Sequence, residues 1–237
     1  MIAIRGLAKR FDRTDVLRGI DLEVRPGRVT ALVGPNGAGK TTLIKIILGL
    51  IRPDAGELSL DGIAIGDDPG YRSRIGYMPQ IARFPDNLTA ADLLAMLSDL
   101  RAGATSCDDG LIALLGLGPH LEKPLRTLSG GTRQKVNAVL AFRFDPDLLI
   151  LDEPTAGLDP VSSGILKDTV LAARSAGKTI IVASHIMSEL DELADDVAVL
   201  LDGRMRYAGA IHDLKLRTRQ TRLERAVAQM MVRLEAA

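Results

Sequence analysis

Residues 34–42, Gly34-Pro35-Asn36-Gly37-Ala38-Gly39-Lys40-Thr41-Thr42, decide how this chain is read. They satisfy G-x-x-x-x-G-K-[ST], and the chemistry of a phosphate cradle explains each residue type. Three glycines within six positions let successive backbone N–H groups turn inward around an anion. Lys40 brings a full positive charge to where β- and γ-phosphates would lie, and the Thr41 hydroxyl stands where Mg²⁺ is ligated. Asn36, Gly37, Gly39 and Thr42 complete the candidate cradle. Upstream, Val29-Thr30-Ala31-Leu32-Val33 is a short apolar run rich in β-branched residues, which predicts a strand. Downstream, Thr42 to Leu48 is helical in length and closes on Gly49. Strand, loop and helix N-terminus in that order aim the helix dipole at bound phosphates.

Working outward, the bulk composition narrows the setting. The 237 residues are 46% hydrophobic and 25% charged, which suits one large α/β domain or two small ones. Formal net charge is zero, and aromatics are 3% with no Trp, so neither a basic field nor base-stacking platforms point to nucleic acid. Cys107 stands alone, which excludes an internal disulfide and a cysteine-rich zinc site. Met1-Ile2-Ala3-Ile4-Arg5 starts directly on a strand pattern rather than a signal peptide. No apolar run approaches the ~20 residues that span a bilayer. The expectation is a soluble, cytoplasmic protein.

In chain order, Ile2 to Phe11 and Leu17 to Val24 alternate apolar with polar residues, predicting two half-buried strands around a polar turn at Asp12-Arg13-Thr14-Asp15. Strands are also predicted over Glu57 to Leu60 and Arg74 to Met78, the latter stopped by Pro79-Gln80. From about 81 to 144 the pattern turns helical, with Thr89 as N-cap of Ala90 to Leu100, a helix over Leu111 to Leu117, and a third running from Ser129-Gly130-Gly131 to Phe142. Leu148-Leu149-Ile150-Leu151 then reads as a strand buried on both faces. Helix (Val161 to Arg174), strand (Thr179 to Ala183), helix (Ile186 to Ala194) and strand (Val197 to Leu201) follow, and Asp202-Gly203 turns the chain into Arg204 to Ala208. This alternation implies a parallel sheet covered by helices, with a helical insertion at about 81–144.

The buried strand ends in Asp152-Glu153, so both carboxylates emerge at the C-terminal edge of a parallel sheet, where ligands collect in such folds. One acid there can hold Mg²⁺ and the other can orient or deprotonate an attacking water.

At this point a family resemblance is carried by particular residues. Leu128-Ser129-Gly130-Gly131-Thr132-Arg133-Gln134-Lys135 resembles the signature motif of ATP-binding-cassette (ABC) proteins, and it lies between the phosphate loop and the acidic strand end, as in that family. Gln80 before it and His185 after it complete the order, and the resemblance covers residues 2 to about 209. It implies a P-loop NTPase fold: a parallel-sheet core, an antiparallel β subdomain and a helical insertion. It also implies roles. Phe11 resembles the aromatic that stacks on adenine, Gln80 the glutamine that touches Mg²⁺ and the attacking water, and Glu153 the catalytic carboxylate. His185 resembles the histidine that bonds the γ-phosphate, and Asp159 the aspartate that crosses the dimer interface. Thr41, Gln80 and Asp152 are the implied Mg²⁺ set, while Ser129, Gly130 and Gly131 would close on ATP held by a second copy. Thr132 departs from the family's commoner glutamine. His120 and His212 lack such context and read as surface residues.

The implied function is the ATPase subunit of an ABC transporter, dimeric around two ATP, driving separate transmembrane permease subunits from the inner face of the membrane. A non-transport ABC ATPase would bring a long coiled-coil insertion, zinc-binding cysteines or a second cassette, and none occurs here. Intact Glu153 and His185 disfavour a regulator without turnover. At a finer level, Lys135 to Phe142, Asp145-Pro146 and Met187 to Leu193 resemble the cassette subunits of nitrous oxide reductase maturation transporters, which serve copper-site assembly, against a generic drug or lipid exporter. One Cys and three scattered His offer no soft-metal site of its own. The chain is divided at 216, with 217–237 expected as a C-terminal amphipathic helix. Leu223, Ala226, Val227, Met230 and Leu234 recur at helical spacing, while Arg222, Arg225 and Arg233 fall outside the stripe. That stripe packs either on its own domain or on a partner.

Overall fold

A computed structural model describes residues 2–65, 69–101 and 109–235, without the side chains of residues 233–235. Cys107 and the Leu234 side chain therefore lie outside the described residues. The N-terminal part builds β1 (Ile2–Phe11), β2 (Thr14–Val24), β3 (Val29–Val33), α1 (Lys40–Ile47), β4 (Ala55–Leu60), β5 (Ile63–Ala64) and β6 (Ile75–Met78). The middle holds α2 (Ala90–Leu100), α3 (Gly110–Leu114) and α4 (Gly130–Phe142). The remainder alternates: β7 (Leu148–Asp152), α5 (Pro160–Ser175), β8 (Thr179–Ala183), α6 (Met187–Leu193), β9 (Asp196–Leu201), β10 (Arg204–Ala210), α7 (Ile211–Thr218) and α8 (Leu223–Glu235).

Two sheets result. The antiparallel one runs β2-β1-β4-β5, and the larger one runs β10-β9-β3-β8-β7-β6. Within the larger sheet every pairing from β9 to β6 is parallel, and only β10 is antiparallel, reached through the Asp202-Gly203 turn. Alternation along the buried strands divides the interior. Leu148 and Ile150 of β7 face a layer with α1 and the antiparallel sheet. Leu149 and Leu151 face the opposite layer, with Val136 and Val139 of α4 and Leu190 of α6. The fold is therefore the mixed α/β P-loop NTPase architecture expected.

Local departures have physical causes. The first hairpin turns in two residues rather than four, because Asp12 takes φ 49° and lets Thr14 and Asp15 pair with Phe11 and Arg10. Thr89 does cap α2, in a reciprocal box with Asp92. The helix at 111 stops at Leu114, and Gly116 follows at φ 64°.

The tail is corrected more substantially. Helix α7 begins at Ile211, and the chain breaks at Arg219 (φ 55°) before α8 starts at Leu223, so 217–237 is not one helix. Leu223, Ala226 and Val227 are buried in the same layer as Leu190 and Leu193 of α6 and Ile211 and Leu214 of α7, with Met230 packed against them. Asp191 of α6 fastens both tail helices: Lys215 Nζ donates to it at 2.5 Å and the Leu223 amide at 3.1 Å. Of the two alternatives for the stripe, these contacts favour packing on its own domain. Deleting 218–237 is then expected to lower Tm by several degrees or more. Burying each large apolar side chain contributes about 1.5–3 kcal/mol, and each kcal/mol is worth roughly 2–4 °C at this size. An unchanged thermal unfolding curve would contradict this packing.

Candidate active site

Strand order assembles the site. β3, β8, β7 and β6 are consecutive neighbours and parallel, so their C-terminal ends line one edge. The phosphate loop leaves β3, Ser184-His185 leaves β8, Asp152-Glu153 ends β7, and Pro79-Gln80 leaves β6. Four motifs that are far apart in sequence thus meet along one edge.

In the loop, Asn36, Gly37 and Thr41 are exposed and Thr42 half-buried, while Gly39 is buried. Gly39 caps α1 at φ 107°, and a Cβ there would lie 2.7 Å from Leu17 Cδ2, so only glycine fits. The Gly34 Cα packs equally hard on the Leu200 carbonyl of β9, which a Cβ would meet at 2.1 Å. Lys40 Nζ donates to the carbonyls of Gly34 (2.6 Å) and Pro35 (3.1 Å), bridging the loop to itself. Burial pushes the Lys40 ammonium pKa down, opposed by the charges of Glu153 and Asp152. Phe11 ends β1 opposite Thr14 and is 41% exposed, with Lys9 Nζ 5.4 Å from its ring centroid. Val16 and Leu17 of the same hairpin abut Gly39, so the hairpin that carries Phe11 touches the phosphate loop.

The acidic pair is more enclosed. Asp152 is buried, which raises its pKa above the ordinary carboxylate range; Glu153 adds to the rise, and Lys40 and Lys45 oppose it. Burial, with a further push from Asp152, also drives the Tyr77 hydroxyl up to about 12. Glu153 is only 8% exposed and sits at φ 51°, a conformation that costs a non-glycine residue roughly 1–2 kcal/mol. Its amide donates to the Ala183 carbonyl at 2.7 Å, tying β7 to β8. Its carboxylate lies 2.8 Å from His185 Nδ1 and accepts from the Ser184 hydroxyl at 3.2 Å. With the carboxylate as acceptor, His185 Nδ1 is the donor of that bond, on a side chain that is 76% exposed. Gln80 is exposed just beyond β6.

Ser129 caps α4, its hydroxyl accepting from the Thr132 amide at 3.1 Å and lying 2.8 Å from the Thr132 hydroxyl. Thr132 thus reinforces the cap where glutamine is commoner in the resembled family. The Gly131 Cα packs on the loop before α5, where a Cβ would come 2.8 Å from the Gly157 carbonyl. Asp159 caps α5, accepting from the Ser162 amide (2.9 Å) and hydroxyl (2.6 Å), with Lys135 Nζ at 3.3 Å. Those hydrogen bonds, then Lys135, hold its carboxyl well below the usual range. Within one chain, then, Asp159 is engaged by its own helix. Among the described residues no hydrogen bond joins the Ser129–Gly131 turn to the phosphate loop. His212 is exposed and His120 half-buried.

Several polar residues of this edge were given no role of their own by the sequence. Thr155 donates to Glu189 of α6 at 2.6 Å, and the Gln134 and Asn137 side chains of α4 are buried against backbone near the acidic pair. Periodicity treats such residues as outward-facing polar positions.

A phosphate cradle on a parallel-sheet edge, faced by buried carboxylates and a histidine, defines a nucleotide-binding P-loop ATPase. The profile of the family described as "ABC transporter" matches residues 17–156. The chain is 34% identical to the Nod factor export ATP-binding protein I of Ralstonia nicotianae, over 90% of this chain and 68% of that one. It is 37% identical to the daunorubicin/doxorubicin resistance ATP-binding protein DrrA of Streptomyces peucetius, over 90% of this chain and 66% of that one. Against the phospholipid-transporting ATPase ABCA3 of Homo sapiens the identity is 36%, but the match spans only 13% of that protein. Among solved structures, an ATP-binding subunit of an ABC transporter superposes with TM-score 0.91 at 28% identity, covering 98% of this chain and 99% of that one. A dimeric bacterial ABC transporter cassette shares the fold with TM-score 0.79, at 22% identity over 89% of this chain and 98% of that one. The chain belongs to the ABC transporter family of ATP-binding proteins, and it is an ABC ATPase cassette.

Proposed function

We propose that this cassette closes on a second copy around two ATP, hydrolyses them, and thereby drives separate transmembrane subunits of an exporter of drug-like or lipid-like cargo. The observation that carries the reading is that the phosphate loop and the Ser129-capped start of α4 are two helix starts with no hydrogen bond between them among the described residues. A helix start and a phosphate loop are both anion sites. Each can serve one nucleotide if the second site comes from another copy.

In this reading the loop amides and Lys40 bind the phosphates and Phe11 offers its exposed face to the adenine. Glu153 orients and takes a proton from the attacking water, His185 meets the γ-phosphate beside it, and Ser129, Gly130 and Gly131 meet the γ-phosphate from the other protomer. Thr41, Gln80 and Asp152 would hold Mg²⁺. The residue types fit, because a carboxylate buried at a strand end, a hydroxyl and an amide oxygen make a hard-oxygen donor set. When bound, the ion supplies charge neutralisation across the β- and γ-phosphate oxygens.

Export is favoured over copper-enzyme maturation by the relatives, whose names speak of Nod factor export, drug resistance and phospholipid transport. The finer resemblance to nitrous oxide reductase maturation cassettes gains no support from them. No described helix is long and apolar enough to cross a membrane, and in this reading the membrane part is a separate subunit. It would dock at the cytoplasmic side, in a groove of about 240 Å³ that starts one residue after Gln80 and is lined by Ile81, Phe84 and Leu125 with Arg83, Asp86 and Arg133. Ile81 is 70% exposed there.

Gly130→Asp tests the closure. A Cβ at Gly130 meets nothing within 4 Å, so the variant should fold, yet it places a carboxylate where the partner's γ-phosphate would arrive. ATP affinity of the single chain should stay within about twofold, while ATP-dependent dimerisation and hydrolysis are lost through like-charge repulsion. An ATP-induced dimer of normal stability, seen by light scattering, would overturn the two-copy reading.

A further inference from the structure

Two buried amides in α4 span the gap between the two backbones that carry Gln80 and Glu153. Asn137 Nδ2 donates to the Pro79 carbonyl at 2.9 Å and to Gln134 Oε1 at 3.4 Å. Gln134 Nε2 donates in turn to the carbonyls of Glu153 (3.3 Å) and Pro154 (3.2 Å). Carbonyls cannot donate, so the amide nitrogens must be the atoms that face them. The two residues are three apart on one helix face, and both are buried. A buried amide kept at such a place needs its partners, because an unmet donor there would be costly.

The partners are not arbitrary. The Pro79 carbonyl belongs to the peptide bond that leads into Gln80, and the Glu153 carbonyl to the peptide bond that follows the carboxylate residue. Glu153 sits at φ 51°, and its amide is already fixed to Ala183. Gln134 fixes the carbonyl side of the same residue, so both flanking peptide planes are held and the strained backbone has one direction left for its side chain. The helix that carries this bridge is the one that starts at Ser129, the turn that must reach a second nucleotide.

We propose that Asn137 and Gln134 are positioning residues for hydrolysis: a two-amide bridge that ties the α4 helix, and with it the Ser129–Gly131 turn, to the backbones of Gln80 and Glu153. Movement of α4 on closure then carries both groups into register together. The inference rests on the reading of Glu153 as the catalytic carboxylate. The bridge touches neither the phosphate loop nor Phe11, so it acts on turnover and not on the first binding of ATP.

The test uses the purified chain and near-isosteric apolar replacements, Asn137→Leu and Gln134→Met, alone and together, beside Glu153→Gln. Each single variant is expected to lower kcat roughly tenfold, with ATP affinity of the single chain within about twofold of the parent. The double variant should lose scarcely more than the worse single one, since two residues of one bridge are non-additive. A structural role alone would lower Tm and leave kcat per folded molecule unchanged, and that result overturns the proposal. So does a double variant whose losses multiply. Should Asn137→Leu fail to fold, Gln134→Met with its own kcat and affinity decides alone. Normal hydrolysis by Glu153→Gln would instead sink the underlying assignment. An inactive Glu153→Gln beside a fully active Asn137→Leu would sink only the bridge.

Discussion

Glu153→Gln is expected to reduce ATP turnover by roughly two to four orders of magnitude, the range that general-base groups supply, while ATP still binds. Glutamine matches the shape of glutamate, so it can occupy the same buried position at φ 51° and still accept from Ser184. What it lacks is a basic oxygen to take a proton from water. Its amide also cannot hold the His185 Nδ1 proton as strongly as a carboxylate does. In the two-copy reading proposed above, hydrolysis opens the assembly, so the variant should accumulate as an ATP-bound dimer. Phosphate release and gel filtration with Mg-ATP read the two effects separately. Turnover near that of the parent would remove Glu153 from its assigned role.

Lys40→Ala is expected to weaken ATP binding by about one to two orders of magnitude. A charge-assisted contact contributes roughly 1.5–3 kcal/mol, and about 1.4 kcal/mol corresponds to tenfold in Kd. Its present bonds to Gly34 and Pro35 sharpen the expectation, because they brace the loop. Removing the side chain takes away both the charge and the brace. Calorimetric titration with ATP, on a variant shown to be folded, measures the loss. Unchanged affinity would place the nucleotide elsewhere.

The sequence made this edge legible where function demands a residue type at a fixed spacing. Gly39 must be glycine because Leu17 and Val16 crowd it, and Lys40 must follow it, so the motif survives as a string of letters. Asp152-Glu153 was marked by the four apolar residues before it, and β7 is indeed buried throughout. The Gln134–Asn137 bridge was invisible for the opposite reason: an amide turned inward toward backbone looks, in sequence, like one turned outward to water. The break at Arg219 was missed because arginine carries no preference for the left-handed turn it makes there. The tail's apolar stripe gave the helix α8 but not what it packs on, since periodicity reports a face and not its neighbour.

The strand order has a consequence for how the chain comes off the ribosome. β3, which carries the phosphate loop, is flanked by β8 and β9 and by nothing nearer in sequence. Its first neighbour emerges about 150 residues after β3 itself, which at roughly 5–20 residues per second is a delay of about 7–30 s. Even then Gly34 lacks the Leu200 carbonyl of β9 against which it packs. A nascent chain holding the complete phosphate-loop sequence therefore has no rigid floor beneath it until β8 and β9 have been made. The phosphate cradle is therefore expected to take its shape late, only once residues through Leu200 have been made.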